Sequence, residues 1–218
     1  MKTVVFSDTH LALPFDQKKF DFLIDLIERF DRIIINGDFW DGYLISFDEF
    51  VNSKWNMLFP HLLNKETIYV YGNHDKESQS DTRRSLFSKI QTKKYILETR
   101  MYTYQIEHGN RLSPFVDETD GFVSPPWVQK SFSVAEYFIV NHLPKRIMKV
   151  THGRFNNKIK KLWLDESKEN QILVTGHTHF AEIDLESRFI NTGFVNHGLG
   201  HYLSINEEGK SNSVVVRY

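Results

Sequence analysis

One device recurs five times in this chain and limits what it can fold into. A short run of β-branched or aromatic residues breaks off into a turn that carries Asp, Asn or His. Thr3 to Phe6 leads to Asp8 and His10, Ile33 to Ile35 to Gly37-Asp38, and Thr67 to Tyr71 to Gly72-Asn73-His74-Asp75. Met101 to Ile106 leads to His108-Gly109, and Gln171 to Thr175 leads to Gly176-His177-Thr178-His179. Runs this short and this rich in β-branched and aromatic side chains read as buried strands, not helices. Open α/β sheets gather their ligands at the carboxyl ends of the strands, so these loaded ends predict an α/β protein with one polar site. In an extended backbone, residues two apart face the same side, which would aim Asp8 with His10, and His177 with His179, into that site.

The segments between the strands extend this expectation. Asp16 is placed to cap a helix whose apolar positions Phe20, Leu23, Ile24 and Ile27 follow the 3.6-residue period, and strand, helix, strand at this spacing predicts a right-handed parallel crossover. Ser46 and Glu49 have capping-box spacing for a helix running toward Leu63, interrupted or ended near Pro60, in which Trp55, Phe59 and His61 serve packing. Asp81 is expected to cap another helix through Leu86, Phe87 and Ile90. Pro114, Pro125 and Pro126 mark a loop, after which Ser133 and Glu136 are spaced to box the start of a helix that ends by Pro144. The tail, from Ala181 to Arg217, reads as short antiparallel strands that close a second sheet.

With 218 residues the chain is long enough for one sizeable core. Residues 1–218 are expected to form a single domain, with a helical cap inserted at about 112–170. Lys+Arg 27 nearly balance Asp+Glu 28, so there is no broad electrostatic lure for nucleic acid. The absence of cysteine excludes disulfides and thiolate metal sites, which leaves His, Asp, Glu and Asn to hold any ion. The apolar start is cut off by Ser7-Asp8-Thr9-His10 before it reaches signal-peptide length, and no run approaches the ~20 apolar residues of a spanning helix. The expected location is the cytoplasm, with the cap offering peripheral contact at the inner membrane surface.

Pooled, the strand ends offer Asp8, His10, Asp38, Asn73, His108, His177 and His179, enough oxygen and imidazole donors for two divalent ions. One ion takes Asp8, His10, Asp38 and His179. The other takes Asp38, Asn73, His108 and His177. A shared Asp38 would hold them roughly 3.5–4 Å apart, the separation at which paired cations polarise a phosphoryl oxygen and generate a bridging hydroxide for in-line attack. His74 stays outside both sets and is expected to protonate the departing oxygen or steady the equatorial charge, with Asp75 orienting it. Asp41 is the expected acceptor behind a ligand imidazole.

The blocks Asp8-Thr9-His10, Gly37-Asp38-Phe39-Trp40-Asp41, Gly72-Asn73-His74-Asp75, His108-Gly109 and Gly176-His177-Thr178-His179 resemble, in content and order, those of the calcineurin-like metallophosphoesterase superfamily. The resemblance runs over nearly the whole chain. It implies a four-layer α/β/β/α sandwich of two mixed sheets flanked by helices, a dinuclear centre and the ligand division above. Manganese is the expected metal, with iron or zinc as alternatives. Size, the insertion between His108 and His177, and Asn191-Thr192-Gly193 resemble the branch of UDP-2,3-diacylglucosamine pyrophosphatases, which hydrolyse a nucleotide-linked diphosphate. That branch carries Arg at the place of His74 and Asp at the place of Asn110, whereas His74 is similar to general phosphodiesterases and nucleases of the superfamily.

The expected activity is therefore metal-dependent hydrolysis of a small phosphodiester or nucleotide-linked diphosphate. A nuclease or general nucleotide phosphodiesterase is one rival, favoured by the basic insertion and disfavoured by the net charge. A non-catalytic interaction scaffold is the other, disfavoured by the intact donor positions. Candidate partners of the substrate phosphate are Arg83 and Arg84, after the Gly-Asn-His-Asp turn, with Lys145, Arg146, Lys149 and Arg154 in the insertion. The alternative for each is a solvated helix face. His152 and His197 precede glycines and are given no role.

Overall fold

Val4 and Phe6 turn to one side of the first strand and Val5 to the other, and Ile33 and Ile35 part from Ile34 in the same way. Side chains alternate along a strand, so β1 (Thr3–Phe6) and β2 (Arg32–Asn36) each feed two cores. The outer core lies under helix α1 (Gln17–Glu28) and an aromatic cluster of Phe50, Trp55, Phe59 and Phe87. The inner core joins Val5, Ile34, Ile68 and Val70 to Tyr104, Ile106, Val174 and Ile190 of a second sheet. The computed structural model describes residues 1–113, 126–142, 149–150 and 152–218. Pro114, Pro125, Pro144, Lys145 and Arg146 lie outside the described residues.

In the first sheet β1, β2, β3 (Glu66–Val70) and β4 (Ile90–Thr92) run parallel, with Val5 opposite Ile34 and Ile34 opposite Ile68. In the second, β5 (Tyr95–Glu98) pairs antiparallel with β6 (Thr103–Ile106), which runs parallel to β7 (Gln171–Thr175). Both sheets are mixed, as expected. The tail divides between them. β8 (Glu182–Asp184) and β9 (Phe189–Asn191) complete the second sheet, β9 parallel to β7. β10 (Val195–Asn196), β11 (Leu199–Ile205) and β12 (Ser211–Arg217) extend the first sheet through an antiparallel pairing of β11 with β1. Pairing partners this distant in sequence leave no local trace, which is why the tail reads as a single unit.

The helices complete the layers with some corrections. Asp16 accepts from Lys19 N at 3.1 Å and starts α1, and Ser46 with Glu49 forms the reciprocal capping box of α2 (Phe47–Asn52). That helix stops at Ser53, where the backbone turns extended, and Pro60 instead lies in the first turn of α3 (Phe59–Leu63), where no amide hydrogen is needed. Asp81 caps only a 3-10 turn, Thr82–Leu86, and Ile90 opens β4. Phe87 is buried but Leu86 and Ile90 are exposed, so the three positions do not share a helical face. Helix α4 (Pro126–His142) begins at Pro126, which places Ser133 and Glu136 inside it and not at its start. Helix α5 (Gly153–Glu166) packs Ile159 and Trp163 on Leu173 and Phe189. This half of the expected cap is thus the outer layer of the second sheet. No described helix is long and apolar enough to cross a membrane.

Lys19 is buried beneath the site, its Nζ donating to the Thr9 carbonyl at 2.9 Å and to Asn196 Oδ1 at 2.7 Å. Burial lowers its pKa to about 8, against the pull of Asp16, Asp41 and Glu136. Between that value and the ordinary 10.5 the unfolded chain holds a proton the folded chain has released, so stability rises with pH across this window. At about 1.4 kcal/mol per unit, the wild-type chain should gain about 3 kcal/mol on Lys19→Met between pH 7 and 10.5. Urea unfolding at both pH values measures this, and parallel profiles would refute it. Loss of the two hydrogen bonds in the variant shifts the offset, not the slope.

Candidate metal centre

The strand ends meet at one edge of the sandwich. Asn36, the last residue of β2, reaches across and donates from Nδ2 to the carbonyls of Glu107 (3.2 Å) and Val174 (3.3 Å), tying the sheets together. Asp8 accepts from the His177 amide at 3.1 Å, and the Gly176 amide donates to the His108 carbonyl at 3.0 Å. The donors do not come from extended backbone. Asp8, His10, Asp38, His177 and His179 all have left-handed φ, from 43° to 65°. Such backbone in non-glycine residues costs energy and clusters at functional sites. Two glycines allow the approach: a Cβ on Gly72 would lie 2.1 Å from Asp38 Oδ1, and one on Gly176 would lie 2.4 Å from Asp8 Oδ2.

Two sets of donor atoms result. In the first, His179 Nε2 lies 3.2 Å from Asp8 Oδ1 and 3.3 Å from His10 Nε2, with Asp38 Oδ2 3.8 Å from His10 Nε2. In the second, Asn73 Oδ1 is 3.0 Å from both His108 Nε2 and His177 Nδ1, and His108 Nε2 is 3.2 Å from Asp38 Oδ2. Donors bonded at ~2.1 Å to one ion stand roughly 3.0–3.4 Å apart, so most of these spacings suit shared cations.

The hydrogen bonding behind the imidazoles supports the same fit. His177 Nε2 faces the Ser113 carbonyl at 2.8 Å, and a carbonyl only accepts, so the proton sits on Nε2. Burial and the neighbouring His108 hold His177 down to about 3, so its ring is neutral. The Nδ1 lone pair therefore looks straight at the Asn73 amide oxygen. Two acceptors at that distance repel unless they share a donor or a cation bonded to both. His108 Nδ1 likewise faces the Asn36 carbonyl at 2.8 Å, and His10 Nδ1 lies 3.5 Å from Asp41 Oδ2. Burial opposes ionisation of Asp8 and Asp38, yet the surrounding imidazoles keep both below the usual carboxylate range. Buried anionic carboxylates grouped with imidazole and amide donors are a site built for positive charge.

A family model described as the calcineurin-like phosphoesterase superfamily domain matches residues 1–204. The chain belongs to that superfamily. This phosphoesterase is a hydrolase of phosphate esters that depends on divalent metal ions, and its substrate is a small-molecule phosphate ester. Among solved structures it is similar to an archaeal phosphodiesterase, at 19% identity over 99% of this chain and 100% of that one, with a TM-score of 0.51. It is also similar to the phosphoesterase YfcE from E. coli, at 16% identity over 98% of each chain, with a TM-score of 0.50. These likenesses show the fold. No curated protein matches the chain.

The structure of this phosphoesterase brings Asp8, His10, Asp38, Asn73, His108, His177 and His179 together, with His74 beside them. Asp75 is a correction. Its carboxylate accepts from the amides of Phe39 and Gly72, each at 2.6 Å, and so staples the Asp38 and Asn73 loops to each other; it does not orient His74. That task falls to Asp41, whose Oδ1 lies 3.1 Å from His74 Nδ1. The physical reason is that two backbone amides take both Asp75 oxygens, Phe39 at Oδ2 and Gly72 at Oδ1. Arg83 is committed to Asp48 and Asp81, Arg84 to Ser80 and the Glu77 carbonyl, and neither lines a cavity at the site. Lys149 and Arg154 are exposed and line neither cavity.

Several contributors carry no local signal in the sequence. Asn36, the Ser113 carbonyl and Glu136 stand behind the candidate ligand imidazoles. Asn191 Nδ2 donates to the Gly176 carbonyl at 2.7 Å and shapes the His177–His179 turn. Two cavities flank the donors. One, of about 440 Å³, is lined by His10, Asp41, His74, His152 and His179 with Ala12, Leu44, Ala135 and Ile139. The other, of about 960 Å³, reaches Gly72 and His108 and carries Lys76, Lys93, Lys94 and Arg111.

Proposed function

We propose that this phosphoesterase holds two ions, manganese in the cell, and hydrolyses a small phosphodiester or nucleotide-linked diphosphate. The observation that carries the reading is the His177 lone pair facing the Asn73 oxygen at 3.0 Å, one of two donor sets that meet at Asp38. When bound, the ions supply phosphoryl polarisation and an acidified water. Everything else falls to the chain. Asp8, His10, Asp38 and His179 hold one ion, and Asp38, Asn73, His108 and His177 hold the other.

His74 then serves the departing oxygen. Burial works against its protonation, yet in the metal-free protein Asp38 and Asp41 raise its pKa to about 9, and the hydrogen bond to Asp41 favours a ring that can donate a proton. Nδ1–H is held by Asp41, the ring lies 4.2 Å from that of Tyr43, and Nε2 carries the proton to be transferred. His74 lines the smaller cavity, so the leaving group is drawn to that side. The larger cavity has the volume of a drug-sized ligand site, and Lys76 and Lys94 on its lining offer charge to the anionic part of a nucleotide, beside Lys93 and Arg111 that are paired with Glu77, Glu107 and Glu166. Lys93 there is 3.3 Å from Glu77, so the rim is not simply repulsive.

A manganese-supplemented panel tests this, comparing bis-p-nitrophenyl phosphate, a monoester, a cyclic nucleotide, single-stranded DNA and UDP-diacylglucosamine. Diester or diphosphate cleavage that stops on chelation is expected. Turnover of the monoester alone, or turnover that survives chelation, would overturn the reading. Selective hydrolysis of UDP-diacylglucosamine would assign the finer branch, and selective hydrolysis of DNA would make the protein a nuclease.

A further inference from the structure

Each ligand imidazole needs a partner on its outer nitrogen to settle which nitrogen is left for an ion. For His108 and His177 that partner is a backbone carbonyl, from Asn36 and Ser113, and for His10 it is Asp41. His179 differs. Its Nδ1 bonds Glu136 Oε1, and Glu136 comes from α4, a helix that packs over the site from the insertion. The other carboxylate oxygen, Oε2, takes His197 Nε2 at 3.1 Å, and His197 sits on the turn between β10 and β11. The helix is moored there a second time, with Asn141 Nδ2 donating to the His197 carbonyl at 3.4 Å and Arg217 Nη1 to Asn141 Oδ1 at 3.1 Å. The Tyr137 ring packs 5.8 Å from that of His197. Glu136 also lines the smaller cavity beside His179 and His152.

We propose that Glu136 is a positioning residue for His179: its carboxylate holds Nδ1–H, turns Nε2 toward Asp8 and His10, and so makes docking of α4 part of one ion site and not of the other. This rests on the two-ion reading above. An ionised carboxylate only accepts, so Glu136 keeps a proton on Nδ1 and leaves Nε2, 3.2 Å from Asp8 Oδ1, as the nitrogen that would give up its proton to an ion. The anionic partner also makes His179 a stronger donor than a carbonyl partner would. Coupling is reciprocal: if the docked helix tightens the ion, the ion tightens the docked helix.

The test is metal titration of the metal-free protein by calorimetry in two backgrounds that each keep one site. In Asn73→Ala, which keeps the ion of Asp8, His10 and His179, adding Glu136→Ala should weaken manganese about 10–100-fold, as loss of a supporting partner does. Glu136→Gln, which keeps an acceptor without the charge, should recover part of that loss. In His10→Ala, which keeps the other ion, Glu136→Ala should change affinity less than about twofold. A second reading is amide exchange in 126–142, which should slow on metal addition in the wild type and not in Glu136→Ala. Equal weakening in both backgrounds, or none in either, overturns the proposal. A wild-type protein that binds no ion takes down the two-ion reading itself, a separable result. Circular dichroism of each variant excludes collapse of the fold as the source of a loss.

Discussion

On the two-ion reading, Asp38→Ala should empty both sites. Asp38 is 2% exposed, and its Oδ2 faces His108 Nε2 at 3.2 Å on one side and His10 Nε2 at 3.8 Å on the other, so it belongs to both donor sets. Its Oδ1 accepts from the His74 amide at 2.9 Å, which fixes the carboxylate plane. Removing it takes away a shared ligand and one of the buried negative charges that favour a divalent cation. The loss of metal affinity should exceed the ~10²-fold upper end that a supporting residue alone costs, and turnover should fall to background. Elemental analysis of the dialysed variant, beside Asn73→Ala as the single-site control, measures it. Asn73→Ala should keep one ion, and retention of two by Asp38→Ala would refute the shared-ligand assignment.

His74→Ala is expected to cut turnover by about 10²–10⁴-fold while the metals stay, as loss of a general acid does. The leaving group sharpens this. A p-nitrophenolate departs without a proton, whereas an alkoxide does not. The loss should therefore be large for an alkyl or nucleoside diester and small for bis-p-nitrophenyl phosphate. An equal loss on both substrates would mean that His74 steadies charge on the phosphoryl oxygens and the proton comes from elsewhere.

Much of this site is legible in the chain because its donors sit in turns directly after strands, and both features are local. Asp8, His10, Asp38, Asn73, His108, His177 and His179 are all found that way. The inference that the His-Thr-His pair lies on extended backbone fails, since His177 and His179 have φ of 65° and 56° and face different donor sets. Asp75 misleads for a related reason. Its neighbour in sequence is His74, but its bonds go to Phe39 and Gly72, and a turn separates neighbours as readily as it joins them. The C-terminal strands are legible as strands, while their division between two sheets is not. Helix α5 offers the same lesson, since its charged surface resembles a cap until Ile159 and Trp163 are seen against Leu173 and Phe189.

By itself the sequence determined which donor side chains lie at the strand ends and their order along the chain, because a strand and the turn that ends it are specified by a few adjacent residues. Tertiary structure alone decided what stands behind each imidazole: Asn36 behind His108 at a separation of 72 residues, Ser113 behind His177 at 64, and Glu136 behind His179 at 43. Two of these partners are backbone carbonyls, which every residue has, and the third is one glutamate on helix α4. Nothing in their residue type marks them. Only the packing of two sheets and a helix brings them to the outer nitrogens that settle where a metal is bound.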